Sequence, residues 1–308
     1  MTTPVDVSVV IPCFNEEENV LAIAEAVATE LAKESVSYEI ILIDNASTDG
    51  TVSVAKGLCE RDNRIRLIVN NRNYGQMRSP AYAVYQSRGR AVISLSADFQ
   101  DPPALIGQFI ARWRAGAKIV LGVYQSGESS FLLRSIRALG YGFFRRFGDY
   151  PVIPGATGFG LYDREVVDCL SRWREPEPFF RGMLVESGFR LETVPFVRAA
   201  RAAGTTKNNF ATLLDVALSG LAASSKNLLR APFYLAAVTA FLAALGVLGA
   251  LLAVIFGRAP WPWLWFTLIE FNFTWLFLFT GSLGEQVRLI SERTRNVPLV
   301  IEKERVNF

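Results

Sequence analysis

The residues best suited to chemistry stand in the stretch Ser96–Pro103, directly after an apolar, strand-like run. Asp98 and Gln100 present carboxylate and amide oxygens there, and hard cations such as Mg²⁺ bind through one or two carboxylates together with substrate phosphates. An acid at the carboxyl end of a strand therefore indicates diphosphate chemistry, with Asp98 as the metal ligand. Asp101 has a structural alternative, because Asp followed by Pro102 is typical of a helix N-cap with proline at the first helical position.

The amino-acid composition excludes several kinds of catalytic and metal-binding site. The 308 residues contain no histidine, which excludes a Ser-His-Asp triad, a histidine zinc site and an imidazole base. The three cysteines, Cys13, Cys59 and Cys169, have no metal-ligand spacing and are expected to be buried thiols. A net charge of +3 is too small to indicate a nucleic-acid partner. Carboxylates, basic side chains and a metal must therefore carry any catalysis.

Apolar strand-like runs alternate with helical patterns through the first part of the chain, which predicts an α/β sheet with helices on both faces. The predicted strands are Val7–Ile11, Tyr38–Ile43, Ile65–Val69 and Ala91–Leu95. The predicted helices between them lie near Glu17–Lys33, Thr51–Arg61 and Gln76–Arg88.

Polar loops follow these strands, and the carboxyl ends of strands in open α/β sheets are where ligands bind. We therefore expect three loops to converge on one crevice: Pro12–Glu16, Asp44–Ser47 and Ser96–Gln100. Neither a dinucleotide fingerprint nor a P-loop follows any strand, so a nucleotide diphosphate held through a metal remains the prediction. Simpler roles stay open for three positions, since Asn15 and Asp49 could cap helices and Asn73 could belong to a solvated loop.

Two segments late in the chain are apolar enough to cross a membrane. Residues 233–257 form 25 consecutive residues without a charge, sufficient for a hydrocarbon core of about 30 Å. Residues 262–284 carry one charge, Glu270, and have tryptophans near their start. Basic residues flank the pair on both outer sides, which predicts a transmembrane hairpin with both ends in the cytoplasm. Glu270 then needs a partner or a hydrated position.

Two further segments have the pattern of helices at a bilayer surface. Residues 131–147 interleave phenylalanine and leucine with arginine, which indicates a basic amphipathic helix on the membrane. A core helix with a solvated basic face is the alternative. Residues 207–232 place apolar side chains on one stripe and are predicted to be an interfacial helix. These segments divide the chain into a catalytic domain, 1–206, the interfacial helix, the hairpin, and a cytoplasmic tail, 285–308.

Several segments carry a resemblance to a known family: Val9–Asn19, Asp44–Thr51, Arg72–Gly75, Ala97–Pro103, Thr157–Arg164, Phe180–Gly182 and Gly204–Phe210. Together they resemble family 2 glycosyltransferases of the polyprenyl-phosphate branch, which includes dolichol-phosphate mannose synthase and the bactoprenol glucosyltransferases. The likeness extends over nearly the whole chain, including the hairpin.

The resemblance implies a GT-A fold and transfer of a sugar from a UDP- or GDP-sugar to a polyprenyl phosphate, with inversion at the anomeric carbon. It implies Mg²⁺ or Mn²⁺ as cofactor, with Asp98 and Gln100 at the metal and diphosphate. It places the nucleotide against Pro12, Phe14, Asn15, Glu16, Asp44, Asn73 and Gly75. It further implies a homotetramer in the cytoplasmic membrane of a bacterium. The alternatives are a catalytically silent membrane scaffold and a glycosyltransferase with another acceptor.

Two positions depart from the family pattern. Ser96 stands where the first acid of the metal motif is usual, and Gly158 stands where many relatives carry an aspartate sometimes proposed as a base. A phosphate monoester has a second pKa of about 6 and needs no base, so the glycine favours a phosphate acceptor. Glu186 is a candidate replacement acid; alternatively it is a surface carboxylate paired with Arg190 one helical turn later.

Basic residues near the predicted membrane face are candidates for phosphate binding. We expect four of them to form a cationic corridor between the bilayer and the donor site: Arg134, Arg137, Arg201 and Lys207. Binding of anionic lipid headgroups in general is the alternative.

Overall fold

The structure is a computed structural model that describes residues 4–125, 153–173, 175–197 and 298–308, together with some positions between 265 and 294. Its strands are β1 (Val7–Cys13), β2 (Tyr38–Asp44), β3 (Ile65–Asn70), β4 (Ala91–Ser94), β5 (Ile119–Gln125), β6 (Ala156–Asp163), β7 (Leu191–Val197) and β8 (Glu302–Val306). Its helices are α1 (Val20–Lys33), α2 (Thr51–Arg61), α3 (Gly75–Gln86), α4 (Ile106–Arg114), α5 (Arg164–Ser171) and α6 (Phe180–Glu186), and a 3₁₀ turn covers Pro103–Leu105.

All eight strands form one mixed sheet in the order β7-β5-β6-β4-β1-β2-β3-β8. Neighbouring strands within the group β1 to β4 run parallel to each other. Strand β6 runs antiparallel to β4, and β8 runs antiparallel to β3. The predicted α/β class and the four predicted strands are confirmed. Because β1 to β4 are parallel, their carboxyl ends lie at one edge of the sheet.

Helices cover both faces of the sheet, which explains why the central strands are continuously apolar. Val9 and Ile11 of β1 pack into one core with α1, α2 and α4, and Val10 between them packs into the other core with α3, α5 and α6. Helix α1 buries a stripe at helical spacing: Val20, Ile23, Ala24, Val27 and Leu31. Cys13 and Cys59 are buried as predicted, whereas Cys169 is only half-buried.

The last strand was not apparent from the sequence. Residues 302–306 are four consecutive charged residues followed by Val306, yet they pair with β3 as an edge strand. The eight-stranded sheet therefore includes residues from late in the chain, at the edge beside β3.

Among the described residues, no helix has the length and apolar character needed to cross a bilayer. Residues 131–147, 207–232 and 233–257 lie outside the described residues, and 262–284 are described only at separate positions. The two surface helices and the hairpin stay predictions.

Candidate functional site at the carboxyl edge of the sheet

Asn15 joins the loops that follow β1 and β2. Its backbone N–H donates to Ser47 Oγ at 2.8 Å, and its Oδ1 accepts from the Thr48 N–H at 2.7 Å. The capping interpretation of Asn15 is wrong, because α1 begins at Val20 with Asn19 as its N-cap residue. These two bonds hold the first two predicted loops against each other.

A second set of contacts ties the same loops together around Asp49. The Glu16 N–H donates to Thr51 Oγ1 at 2.8 Å, and the Gly50 N–H donates to Glu17 Oε2 at 2.9 Å. Asp49 Oδ1 accepts from the Thr51 N–H at 3.1 Å, next to Gly50, the N-cap residue of α2. Burial alone would raise the pKa of Asp49, but hydrogen bonds from Thr51 and Glu17 hold that pKa below its ordinary value. Asp49 therefore stabilises the start of α2.

Asn45 connects the β2 loop to the β3 loop. Its Nδ2 donates to Asn73 Oδ1 at 2.8 Å, and its Oδ1 accepts from Asn70 Nδ2 at 3.0 Å and from the Tyr74 N–H at 2.9 Å. Asn73 Oδ1 also accepts from the Gly75 N–H at 2.7 Å. The predicted nucleotide residues Asn73 and Gly75 are thus held by a buried amide network that sequence analysis missed.

Asp44 ends β2 and is 1% exposed. Its Oδ2 accepts from the Ser47 N–H at 3.0 Å, while its Oδ1 is buried without a hydrogen-bond partner in the described part of the chain. A buried carboxylate oxygen without a donor is costly, so a ligand that supplies an N–H or O–H would be bound favourably there. Pro12 and Phe14, on either side of buried Cys13, are half-buried at the same edge.

The loop after β4 is organised by Ser96. Ser96 Oγ donates to Asp98 Oδ1 at 2.8 Å, and the Ser96 N–H donates to Asp101 Oδ2 at 3.0 Å. The Gln100 N–H also donates to Asp98 Oδ1, at 3.2 Å. Asp98 and Asp101 are 5% and 6% exposed. Ser96, which replaces a possible metal ligand, thus orients the carboxylate that remains.

Asp101 does not cap a helix, so that interpretation is wrong. The 3₁₀ turn begins at Pro103, its N-cap residue is Pro102, and no side chain accepts from its first N–H groups. The Asp101 carboxylate points back to the Ser96 N–H and closes the loop instead.

Three loops at this edge contain a non-glycine residue in the left-handed region. These residues are Asn15 with φ 54°, Ala46 with φ 62° and Phe99 with φ 60°. Such conformations cost free energy and persist where surrounding contacts impose them, which is common at binding and catalytic sites. Three of the five such residues in the described part of the chain lie at the carboxyl edge, which makes it the candidate functional edge.

Strand β6 enters the sheet beside the Ser96–Asp101 loop. Gly158 lies two residues before Gly160, which pairs with Ser94 of β4. Its φ of +99° is a backbone conformation that residues with a side chain rarely adopt. The buried Tyr162 hydroxyl donates to the Gly158 carbonyl. Burial, with a smaller contribution from the charge of Asp101, raises the pKa of Tyr162, so this hydroxyl keeps its proton. The glycine at 158 therefore follows from the local backbone.

The carboxyl edge of the sheet carries several acidic side chains, and their negative charge affects how this edge could bind a metal ion. Burial raises the pKa of Cys13, and the negative charges of Asp44, Glu16 and Asp49 raise it further. In residues the structure describes, no group of three or more Asp, Glu or Cys side chains could enclose a metal ion. Asp98 with neighbouring hydroxyl and amide oxygens is a hard donor set that fits Mg²⁺ or Mn²⁺, provided that a diphosphate supplies further ligands.

Glu186 is exposed at the last residue of α6, and Arg190 lies beyond the end of that helix. The premise of a helical-turn pair is therefore wrong, and Arg190 Nη2 donates to Glu192 at 2.9 Å. A catalytic role for Glu186 stays a prediction. The proposed corridor residues Arg134, Arg137, Arg201 and Lys207 lie outside the described residues.

Comparisons with known proteins identify the family and several relatives of the chain. A family model described as glycosyl transferase family 2 matches residues 8–171, from β1 to the last residue of α5. An uncharacterized glycosyltransferase of Bacillus subtilis is 27% identical over 307 residues, 98% of this chain and 94% of the relative. A prophage bactoprenol glucosyl transferase homolog of Escherichia coli is 30% identical over 255 residues, 82% of this chain and 83% of the relative. The SfII prophage-derived bactoprenol glucosyl transferase of Shigella flexneri is 29% identical over 302 residues, 97% of each chain.

Proposed function

The chain belongs to glycosyl transferase family 2, and on that premise we propose that it transfers a sugar from a nucleotide-sugar to a polyprenyl phosphate at the cytoplasmic face of a membrane. The observation that carries the proposal is the Ser96–Asp101 loop, which holds the buried Asp98 carboxylate at the carboxyl edge of the sheet. It lies beside loops suited to a nucleoside.

The donor nucleotide is proposed to lie over the β1, β2 and β3 loops. Asp44 Oδ1 needs a hydrogen-bond donor, which a nucleoside base or ribose hydroxyl supplies. Asn15, Glu16, Asn73 and Gly75 line the same loops, and Pro12 and Phe14 offer apolar surface. Both UDP- and GDP-sugars carry suitable donors.

Asp98 and Gln100 are proposed to hold Mg²⁺ or Mn²⁺ against the diphosphate. The acidic edge by itself repels a diphosphate, so a divalent cation resolves the charge conflict between Asp44, Glu16, Asp98 and the donor. When bound, the cation stabilises the negative charge that develops on the departing nucleoside diphosphate. The protein's own part is to orient Asp98 through the Ser96 hydroxyl and the Gln100 N–H.

A lipid phosphate is proposed as the acceptor because the site needs no added base for it. Its second pKa is about 6, so its oxygen is already a nucleophile at neutral pH. That oxygen forms a bond to the anomeric carbon while the bond from this carbon to the diphosphate breaks, and the electron pair leaves with the nucleoside diphosphate. Attack opposite the leaving group inverts the anomeric carbon. The bactoprenol glucosyl transferase names of two relatives support this acceptor class.

The membrane part of the proposal rests on sequence. Residues 233–257 and 262–284 are proposed to span the bilayer of a bacterial cytoplasmic membrane, with 131–147 and 207–232 at its surface and both termini in the cytoplasm. Arg134, Arg137, Arg201 and Lys207 are proposed to guide the lipid phosphate to the donor. A homotetramer with packed hairpins is proposed by family analogy.

Transfer can be tested with purified protein, Mn²⁺, undecaprenyl phosphate and a panel of radiolabelled UDP- and GDP-sugars. The proposal predicts organic-extractable label with at least one donor, and loss of that label on chelating the metal. A protein that binds nucleotide but makes no lipid-linked label with any donor is a silent scaffold, which contradicts the proposal.

Glu186 can be tested in the same assay. If Glu186 acts as an acid in the pocket, Glu186→Gln lowers turnover far more than it lowers the melting temperature. Unchanged turnover excludes this role.

A further inference from the structure

The approach to β8 contacts the loop between β3 and α3. The Asn71 N–H donates to the Ile301 carbonyl at 3.1 Å, and Arg78 Nη2 donates to the Pro298 carbonyl at 3.0 Å. Val300, between them, is 4% exposed. The pairing of β3 with β8 shifts register between Val69 and Asn70, where the loop begins. Residues 298–301 therefore contact the start of this loop and the first turn of α3.

Tyr74 connects the contacts with residues 298–301 to the rest of the loop between β3 and α3. We call this loop the donor loop because it carries Asn73, a proposed nucleotide-binding residue. The Tyr74 hydroxyl donates to Asn71 Oδ1 at 2.7 Å, and the Tyr74 N–H donates to Asn45 Oδ1 at 2.9 Å. The guanidinium carbons of Arg72 and Arg78 lie 4.0 Å and 5.4 Å from the centre of the Tyr74 ring. Tyr74 is 7% exposed. It connects the two residues held by the tail to the amide that follows Asp44.

Other contacts of the tail lie away from this loop. Arg305 Nη2 donates to Gln86 Oε1 at 3.0 Å, at the far end of α3, and Lys56 pairs with Glu304 at 2.7 Å. Asn307 Nδ2 donates to the carbonyls of Cys59 and Ile65 at 2.8 Å and 2.9 Å. These contacts attach the strand, whereas Arg78 and Asn71 attach the donor loop.

We propose that residues 298–301 are a positioning element of the donor site, and that Arg78 is its positioning residue. The inference rests on the proposed function and goes beyond it. The tail holds Arg78 and Asn71, these hold Tyr74, and Tyr74 with Asn45 keeps Asn73 and Gly75 where the nucleotide binds. The segment that leaves the predicted hairpin thereby sets the affinity for the donor without touching it.

Arg78 and Arg305 make a matched test, because each guanidinium joins α3 to the tail and only Arg78 reaches the donor loop. Arg78→Gln should raise the KM for the nucleotide-sugar about tenfold, the scale of a lost charged hydrogen bond, with an unchanged KM for the lipid phosphate. Arg305→Gln should lower the melting temperature and leave both KM values unchanged. Pro298→Gly, which loosens the tail and leaves Arg78 in place, should raise the same KM as Arg78→Gln.

An unchanged donor KM in Arg78→Gln or in Pro298→Gly overturns the inference, as does an equal rise in Arg305→Gln. Calorimetric titration with UDP or GDP and Mn²⁺ measures the same differences without turnover. A wild-type protein that binds nucleotide but transfers no sugar contradicts the proposed function, and the dissociation constants of the variants then decide this inference separately. Absence of nucleotide binding in the wild type overturns both.

Discussion

Strand β2 carries a buried carboxylate at each end, and the two have opposite surroundings. Glu39, near the amino end, accepts from Ser8 Oγ at 2.6 Å and from the Arg88 N–H at 2.8 Å, and it pairs with Arg66 at 2.9 Å. Asp44, at the carboxyl end, accepts from the Ser47 N–H, and in the described ranges its other oxygen has neither a hydrogen bond nor an ion pair. Glu39 Oε2 also accepts no hydrogen bond, but it has the ion pair with Arg66. Both residues are 1% exposed.

The contrast separates a structural charge from a binding charge. A buried carboxylate that is ion-paired and hydrogen-bonded is compensated within the fold, and removing its charge leaves a buried cation unpaired. A buried carboxylate with an unused oxygen remains costly until a ligand supplies a donor. Burial alone therefore does not distinguish a binding carboxylate from a structural one in this sheet. The groups that pair with each carboxylate make that distinction.

The largest expected effect concerns Asp98 and Asp101, which share Ser96 as a partner. Asp98→Asn should reduce transfer by about 100- to 1,000-fold, because the proposed metal ion would lose its charged ligand and hold the diphosphate less firmly. Asp101→Asn should mainly lower the melting temperature, since its carboxylate closes the loop. Initial rates and thermal unfolding of both variants test this. Equal catalytic losses would contradict the division of roles.

The second-largest effect is expected when the carboxylate at either end of β2 is replaced by the isosteric amide. Asp44→Asn should raise the donor KM by about 10- to 100-fold, because the amide places N–H groups where the nucleoside needs an acceptor. Glu39→Gln should leave the donor KM unchanged and lower the free energy of unfolding by up to about 3–5 kcal/mol, since Arg66 loses its counter-charge. Donor titrations and urea denaturation measure the two quantities. A large KM change in Glu39→Gln would remove the distinction.

The smallest effect concerns Gly158, where an added side chain would meet no atom within 4 Å but would be strained at φ +99°. Gly158→Ala and Gly158→Asp should each cost about 1–3 kcal/mol of stability. Neither should raise turnover, because a phosphate acceptor needs no base. Rates at several pH values, with unfolding free energies as the reference, test this. A higher rate in Gly158→Asp alone would show that a base was missing.

The features that depend on local pattern were predictable from the sequence. The four parallel strands were predicted because apolar runs alternate with helical periodicity, and the polar loops followed because parallel strands end at one edge. Strand β8 was missed because its composition resembles a charged surface segment, and only pairing with β3 makes it a strand. The helix-cap interpretations were wrong because Asn15 bonds to the loop after β2 and Asp101 closes its own loop through the Ser96 N–H.

The sequence by itself determined the α/β class, the family, the absence of histidine chemistry and the acids available at the carboxyl edge, since each of these depends on residue type and spacing along the chain. Only the tertiary structure decided that Ser96 orients Asp98, that Asp44 Oδ1 lacks the ion pair that Glu39 Oε2 has, and that residues 298–301 hold the donor loop. Those outcomes depend on which side chains meet across strands and loops, and contacts between positions as distant as Arg78 and Pro298 have no signature in local pattern.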